Sequence, residues 1–138
     1  AMMSVNAFKG VELGAGFASS AAFGSELHDE ILLENDKIVR SSNNAGGIEG
    51  GMSNAQPIHV KVSMKPLSTL VKPLKSIDLE TMEPVLAHKE RSDSCAVPAA
   101  SIIGESMLAI VLADALLEKF SGDSVNQLKK HIKSSGKY

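Results

Sequence analysis

The chain is predicted to be an α+β protein, and three stretches of its 138 residues carry that expectation. "PIHVKVSMK" (57–65) alternates with a strict period of two. "EILLENDKIVRSS" (30–42) sets two short apolar runs on either side of Asn35-Asp36. "VPAASIIGESMLAIVLADALLEKF" (97–120) is a long apolar run placed after the strand candidates. Strands followed by one long helix are the order expected of segregated α+β packing.

The elements follow in chain order. "FKGVELGAGF" alternates Val11 and Leu13 with Glu12 and ends in glycines, which suits a short strand running into a turn. The small apolar residues from Phe17 to Phe23 suit one or two helical turns, and "GSELHDE" (24–30) reads as a polar loop. A tethering role is favoured for its His28-Asp29-Glu30 cluster. Ile31 to Leu33 and Ile38 to Val39 should form a hairpin turning at Asn35-Asp36. In 57–65, Ile58, Val60, Val62 and Met64 should face a core, with His59, Lys61, Ser63 and Lys65 on a polar, basic face. "KPLSTLVKPLKSIDLETMEPVLAHKE" has three prolines and suits a loop with two short strands, near Ile77–Leu79 and Val85–Ala87.

The 97–120 helix has Pro98 in its first turn, Gly122 as a stop and Lys119 at the negative end of its dipole. It is apolar almost all round, so deep burial is expected. Glu105 and Asp114 are expected to break the run below membrane-spanning length, so no membrane partner is expected. A last short helix should follow, capped by Asp123 or Ser124, with Val125, Leu128 and Ile132 on one face.

Composition narrows the function classes. A hydrophobic share of 43% and a charged share of 22% are ordinary for a globular chain, and the length suits one domain. The net charge of −2 gives no support to a nucleic-acid surface built on bulk positive charge. The single cysteine, Cys95, cannot form an internal disulfide, and a reducing compartment is expected. "AMMSVNAFKG" lacks the pattern of a signal peptide and opens in mid-pattern, as a piece of a longer protein would.

"NNAGGIEGGMSN" (43–54) holds four glycines between Gly46 and Gly51. Glycine admits a close ligand and a sharp turn equally well, and both readings stand. It is neither a P-loop nor a dinucleotide fingerprint. Basic residues recur at Lys61 and Lys65, at Lys72 and Lys75, and at Lys89 and Arg91. A solvated face explains any single one of them, whereas "KPLST" and "ERSD" combine cations, hydroxyls and a carboxylate. Asp93 could act as a base beside a cationic site, pair with Arg91, or cap the helix at Pro98. His28, His59, His88 and His131 lie far apart without metal spacing, and no metal is expected.

Six ordered blocks make the chain resemble the C-terminal part of the chorismate synthase family. They are "AMMSVNAFKGVELGAGF", "GSELHDEI", "NNAGGIEGGMSN", "KPLSTL" with a later "KPL", "ERSDSCAVPAA" and "ESMLAIVLADALLEKFSGDS", and they span nearly all of it. The resemblance implies part of a single domain with a β-α-β sandwich fold, antiparallel sheets around buried helices, in a cytoplasmic homotetramer. It implies conversion of 5-enolpyruvylshikimate 3-phosphate to chorismate by 1,4-elimination of phosphate and a ring proton, with reduced FMN and no net redox change. FMN contacts would fall on Asn6, Ala7, Gly50, Lys65, Pro66, Leu67, Ser68, Thr69 and Arg91. Arg91 would also hold substrate, and Asp93 would be the catalytic carboxylate near the flavin. Ala15 stands where Asp is expected, Ala55 where Gly is usual, and Ser94 where Val is frequent. The family's two active-site histidines and most of its substrate arginines belong to an N-terminal part, so this chain alone is expected to lack turnover. The alternatives are a non-catalytic, diverged FMN- or phosphate-binding module and an unrelated nucleotide-binding domain.

Overall fold

The structure is a computed structural model that describes residues 1–90 and 95–136. It forms two compact units: Asn6–Lys65, and Ala1–Val5 together with the chain from Pro66 onward.

The Asn6–Lys65 unit contains β1 (Phe8–Leu13), a 3-10 turn (Gly16–Ala21), α1 (Gly24–Leu27), β2 (Ile31–Glu34), β3 (Lys37–Arg40), β4 (Ile48–Glu49), β5 (Met52–Ser53) and β6 (Val60–Met64). β1 and β6 pair antiparallel, with Phe8 opposite Met64, Val11 opposite Val62 and Leu13 opposite Val60. The register shifts between Phe8 and Gly10, which leaves Lys9 as the extra residue of a bulge. Phe8, 3% exposed, is the most buried apolar side chain described. The period-two expectation holds in part on β6: Val60 and Met64 are half-buried and Lys61 and Ser63 exposed, but Val62, expected on the core face, is exposed at 36%. Lys61 lies opposite Glu12 and pairs with it at 3.0 Å. This exposed pair contributes under about 1 kcal/mol.

The hairpin at Asn35-Asp36 forms as expected, with Ile31 opposite Arg40 and Glu34 opposite Lys37. Asn35 (φ 51°) and Asp36 (φ 58°) are both left-handed, the conformation a two-residue turn needs to match strand twist. "GSELHDE" is corrected in part, since Gly24–Leu27 closes one helical turn. Glu26 Oε2 accepts from the Phe23 N–H at its start, 3.3 Å away.

The second unit holds β7 (Lys75–Ile77), β8 (Pro84–Leu86), α2 (Val97–Phe120) and α3 (Val125–Ser134). β7 and β8 form an antiparallel hairpin close to the two strands expected there. Its turn is tied by Asp78, whose carboxylate accepts from the N–H groups of Glu80 (2.8 Å) and Thr81 (3.1 Å). α2 ends where Ser121 turns left-handed (φ 54°), followed by Gly122 (φ 125°). Ser124 caps α3 by accepting from Gln127 N–H, and Gln127 Oε1 accepts from Asp123 N–H at 2.7 Å. The Phe120 carbonyl accepts from His131 Nδ1 at 2.7 Å, which fixes the proton on that nitrogen and joins the two helices.

Two expectations for α2 need correction. Only Ala100 and Gly104 are buried along it, while Ile102 (62%) and Ile110 (64%) stand exposed. Apolar residues on all sides need cover on all sides, and the described residues cover little of the helix. Nor do Glu105 and Asp114 shorten the run below spanning length. The helix has 24 residues, or about 36 Å, and meets the length and apolarity of a bilayer span. A helix enclosed by other protein has the same properties.

Exposed Ile102, Ile103 and Ile110 should make the chain self-associate; light scattering across micromolar concentrations should show species above monomer, and a sharp monomer would contradict this. Glycine substitutions should separate sharply. A Cβ on Gly46 (φ 65°) would stand 2.4 Å from the Gly14 nitrogen, whereas one on Gly50 (φ 58°) meets nothing within 4 Å. Gly46→Ala should cost roughly 3 kcal/mol or more, and Gly50→Ala only the left-handed penalty of about 1–2 kcal/mol, both read from urea denaturation.

Candidate functional site

The residues expected to contact FMN divide between the two units. In the first, Asn6 and Ala7 form the turn that enters β1, and Ala7 is left-handed at φ 67°. The Ala7 carbonyl accepts from Lys65 N–H at 2.7 Å, just beyond the Phe8–Met64 pair. Two stretches separated by some sixty residues are thus held side by side. The side chains of Asn6 and Lys65 are exposed there. Lys65 has no ion pair among the described residues.

Gly50 and Gly51 form the turn between β4 and β5, both left-handed (φ 58° and 78°), in open space. The two readings of the glycine cluster therefore apply to different glycines. Gly46 and Gly47 are buried and let main chain pack on main chain, against Gly14 and Pro57. The Gly50 turn is the part that another molecule could approach.

Pro66, Leu67, Ser68 and Thr69 belong to the second unit, in a stretch without regular structure. Leu67 and Thr69 are half-buried and Pro66 and Ser68 exposed. Arg91 and Asp93 lie outside the described residues.

A polar network behind the glycine turn is the feature that sequence reasoning missed. Asp29 is buried, and its carboxylate accepts from Ser42 Oγ, from Asn44 N–H (2.7 Å) and from Ala45 N–H (2.9 Å). Arg40 donates through Nη1 to the Asp29 carbonyl (3.1 Å) and through Nη2 to Glu49 Oε2 (2.7 Å). Asn54 Nδ2 also donates to Glu49 Oε2, at 2.8 Å. Asn43 Oδ1 accepts from Gly47 N–H (2.8 Å), and Asn43 Nδ2 donates to the Pro57 carbonyl (2.9 Å). The tethering role expected of the His28-Asp29-Glu30 cluster is thus borne out at Asp29. The signals were the paired asparagines before the glycines and a carboxylate in a polar cluster, but spacing could not pair groups 13 to 16 residues apart.

The departures from the family pattern also find a place. Ala15 stands at the start of the 3-10 turn without a side-chain cap, where an Asp could accept a backbone N–H. Ala55 is left-handed (φ 66°), a conformation that glycine adopts without strain. Among the described residues no three His, Cys, Asp or Glu groups are placed to hold a metal ion.

The Asp29 environment predicts an acid response. Burial pushes the carboxyl up, but the hydrogen bonds from Ser42, Ala45 and Asn44 and the Arg40 charge outweigh it. They hold it below the usual value of 3.8. A folded-state value below the unfolded one adds stability that is complete above the unfolded value and is lost as pH falls through the folded one. Urea midpoints followed from about pH 6 down to about pH 2 should fall steeply below 3.8. Asp29→Asn should be less stable at neutral pH and should lose part of that slope; an identical slope would contradict the assignment.

The comparisons agree with one another. The family model described as chorismate synthase matches residues 1–117. The chorismate synthase of Aquifex aeolicus (strain VF5) is 56% identical over 97% of this chain and 36% of its own length. That of Syntrophotalea carbinolica is 49% identical over 100% of this chain and 36% of its own. The crystal structure of a chorismate synthase superposes with a TM-score of 0.72 at 44% identity, over 97% of this chain and 32% of that one. The chain therefore spans about a third of the length of the relatives it matches. With sequence, family model and fold in agreement along nearly its whole length, the chain belongs to the chorismate synthase family.

Proposed function

We propose that this chain is the C-terminal, flavin-binding portion of a chorismate synthase that converts 5-enolpyruvylshikimate 3-phosphate to chorismate and phosphate. The observation that carries the reading is the side-by-side placement of Ala7 and Lys65 within a chain whose family is shown. The reaction breaks a C–O bond to phosphate and a ring C–H bond and forms one new double bond, so atoms and electrons balance without an outside oxidant. Reduced FMN, when bound, supplies electron density as the phosphate leaves.

The residues present fit such a group. Gly50 has open space where a side chain would stand, so a ligand can meet bare backbone. Lys65 offers an exposed ammonium beside the Asn6-Ala7 turn, suited to a phosphate as a point charge. Ser68 and Thr69 carry hydroxyls, and Pro66 and Leu67 an apolar edge. Arg91 would grip phosphate with its planar fork and stabilise charge as it develops on the leaving group. Asp93 would hold or take a proton near the flavin and substrate. In this reading α2 is buried in a β-α-β sandwich completed by the rest of a homotetrameric cytoplasmic enzyme, where its apolar sides find the cover they lack here.

Titration of FMN into the purified chain, followed by flavin fluorescence, tests the reading. Saturable binding should weaken by about ten- to a hundredfold in Arg91→Ala or Lys65→Ala, the worth of one charge-assisted hydrogen bond of roughly 1.5–3 kcal/mol. Affinity unchanged from that of the unsubstituted chain in both variants would remove the assignment. With reduced FMN and substrate under anaerobic conditions, the chain alone should form no chorismate. Turnover would show that it holds a complete site.

A further inference from the structure

We propose that Asp29 is the positioning residue of the Gly50 turn: its carboxylate fixes residues 42–45, and Arg40 carries that placement to Glu49, the neighbour of Gly50. The proposal rests on the reading of Gly50 as a flavin contact.

The path is continuous. Asp29 accepts the Asn44 and Ala45 N–H groups immediately before Gly46, and the Ser42 hydroxyl. These two N–H groups are turned inward, so they are not donors for a ligand. Beyond them, Gly47 is held by Asn43 Oδ1, and Asn54 N–H donates to the Gly47 carbonyl at 3.0 Å, closing the base of the β4–β5 hairpin. On the other side Arg40 ties the Asp29 carbonyl to Glu49. That second tie has an electrostatic consequence. Glu49 is the residue before Gly50, and an unpaired carboxylate there would repel an anionic ligand. Arg40 and Asn54 both donate to it, which pairs its charge and draws it back against the hairpin. Asp29 and Arg40 need not touch ligand for this.

Amide hydrogen exchange combined with FMN titration tests the proposal on Asp29→Asn and Arg40→Lys. Asp29→Asn should raise exchange at Asn44, Ala45 and 48–52 about tenfold or more, leave the β1–β6 ribbon unchanged, and weaken FMN binding about tenfold. Arg40→Lys should loosen 48–52 while Asn44 and Ala45 stay protected. Unchanged exchange over 44–54 in Asp29→Asn would overturn the proposal, as would unchanged FMN affinity with a loosened turn. Should Asp29→Asn unfold or loosen the ribbon equally, Arg40→Lys decides, and unaltered exchange at 48–52 then counts against the proposal. If the unsubstituted chain binds no FMN, the flavin reading fails, and the exchange pattern still determines whether Asp29 holds the turn.

Discussion

The Asn6–Lys65 unit is organised around a buried carboxylate with three donors aimed at it. A charged group taken out of water is costly unless its lone pairs are filled. Asp29 meets that condition with Ser42, Asn44 and Ala45, and the same bonds fix the chain on entry to the glycine cluster. The β2–β3 hairpin serves this arrangement. By turning at Asn35-Asp36 it returns Arg40, Ser42 and Asn44 to the level of Asp29. A slip of one residue in that hairpin would point Arg40 to the opposite face and break both of its ties.

Glycine then has two separate uses within six positions. Gly46 and Gly47 are buried against other main chain, so their role is packing. Gly50 and Gly51 stand in the open and supply only the left-handed turn. A loop that is rigid at its base and bare at its tip suits recognition, because little further ordering is needed when a ligand meets the tip. The Lys65–Ala7 hydrogen bond gives the other candidate contacts a comparable foundation at the end of the β1–β6 ribbon.

The second unit poses the opposite problem. α2 is apolar on nearly every side, yet only Ala100 and Gly104 are buried. Its local signals are all satisfied: Pro98 in the first turn, Lys119 in the last, Gly122 after the end, and α3 joined to it through His131. The helix forms for local reasons. What covers its sides depends on partners that local sequence does not specify.

The elements most legible in the sequence were those written in local chemistry. Period two gave β6, Asn35-Asp36 gave a hairpin turn, and Pro98 with Gly122 bounded α2 to the residues observed. The family could likewise be read from six ordered blocks, because each is a run of adjacent residues. The burial expected of α2 is not seen within this chain, because an all-apolar pattern states a need for cover without stating where the cover comes from. Pairings between distant residues could be decided only by tertiary structure: Lys65 with Ala7, Asp29 with Ser42, Asn44 and Ala45, and Arg40 with Glu49. A hydrogen bond forms where folding brings donor to acceptor, and no local period records that meeting. Local sequence sufficed for the family, for α2 and α3 and for the Asn35-Asp36 turn; folding settled which glycines pack, that Gly50 and Gly51 stay open, and which carboxylate holds the chain before them, because those depend on contacts between distant residues.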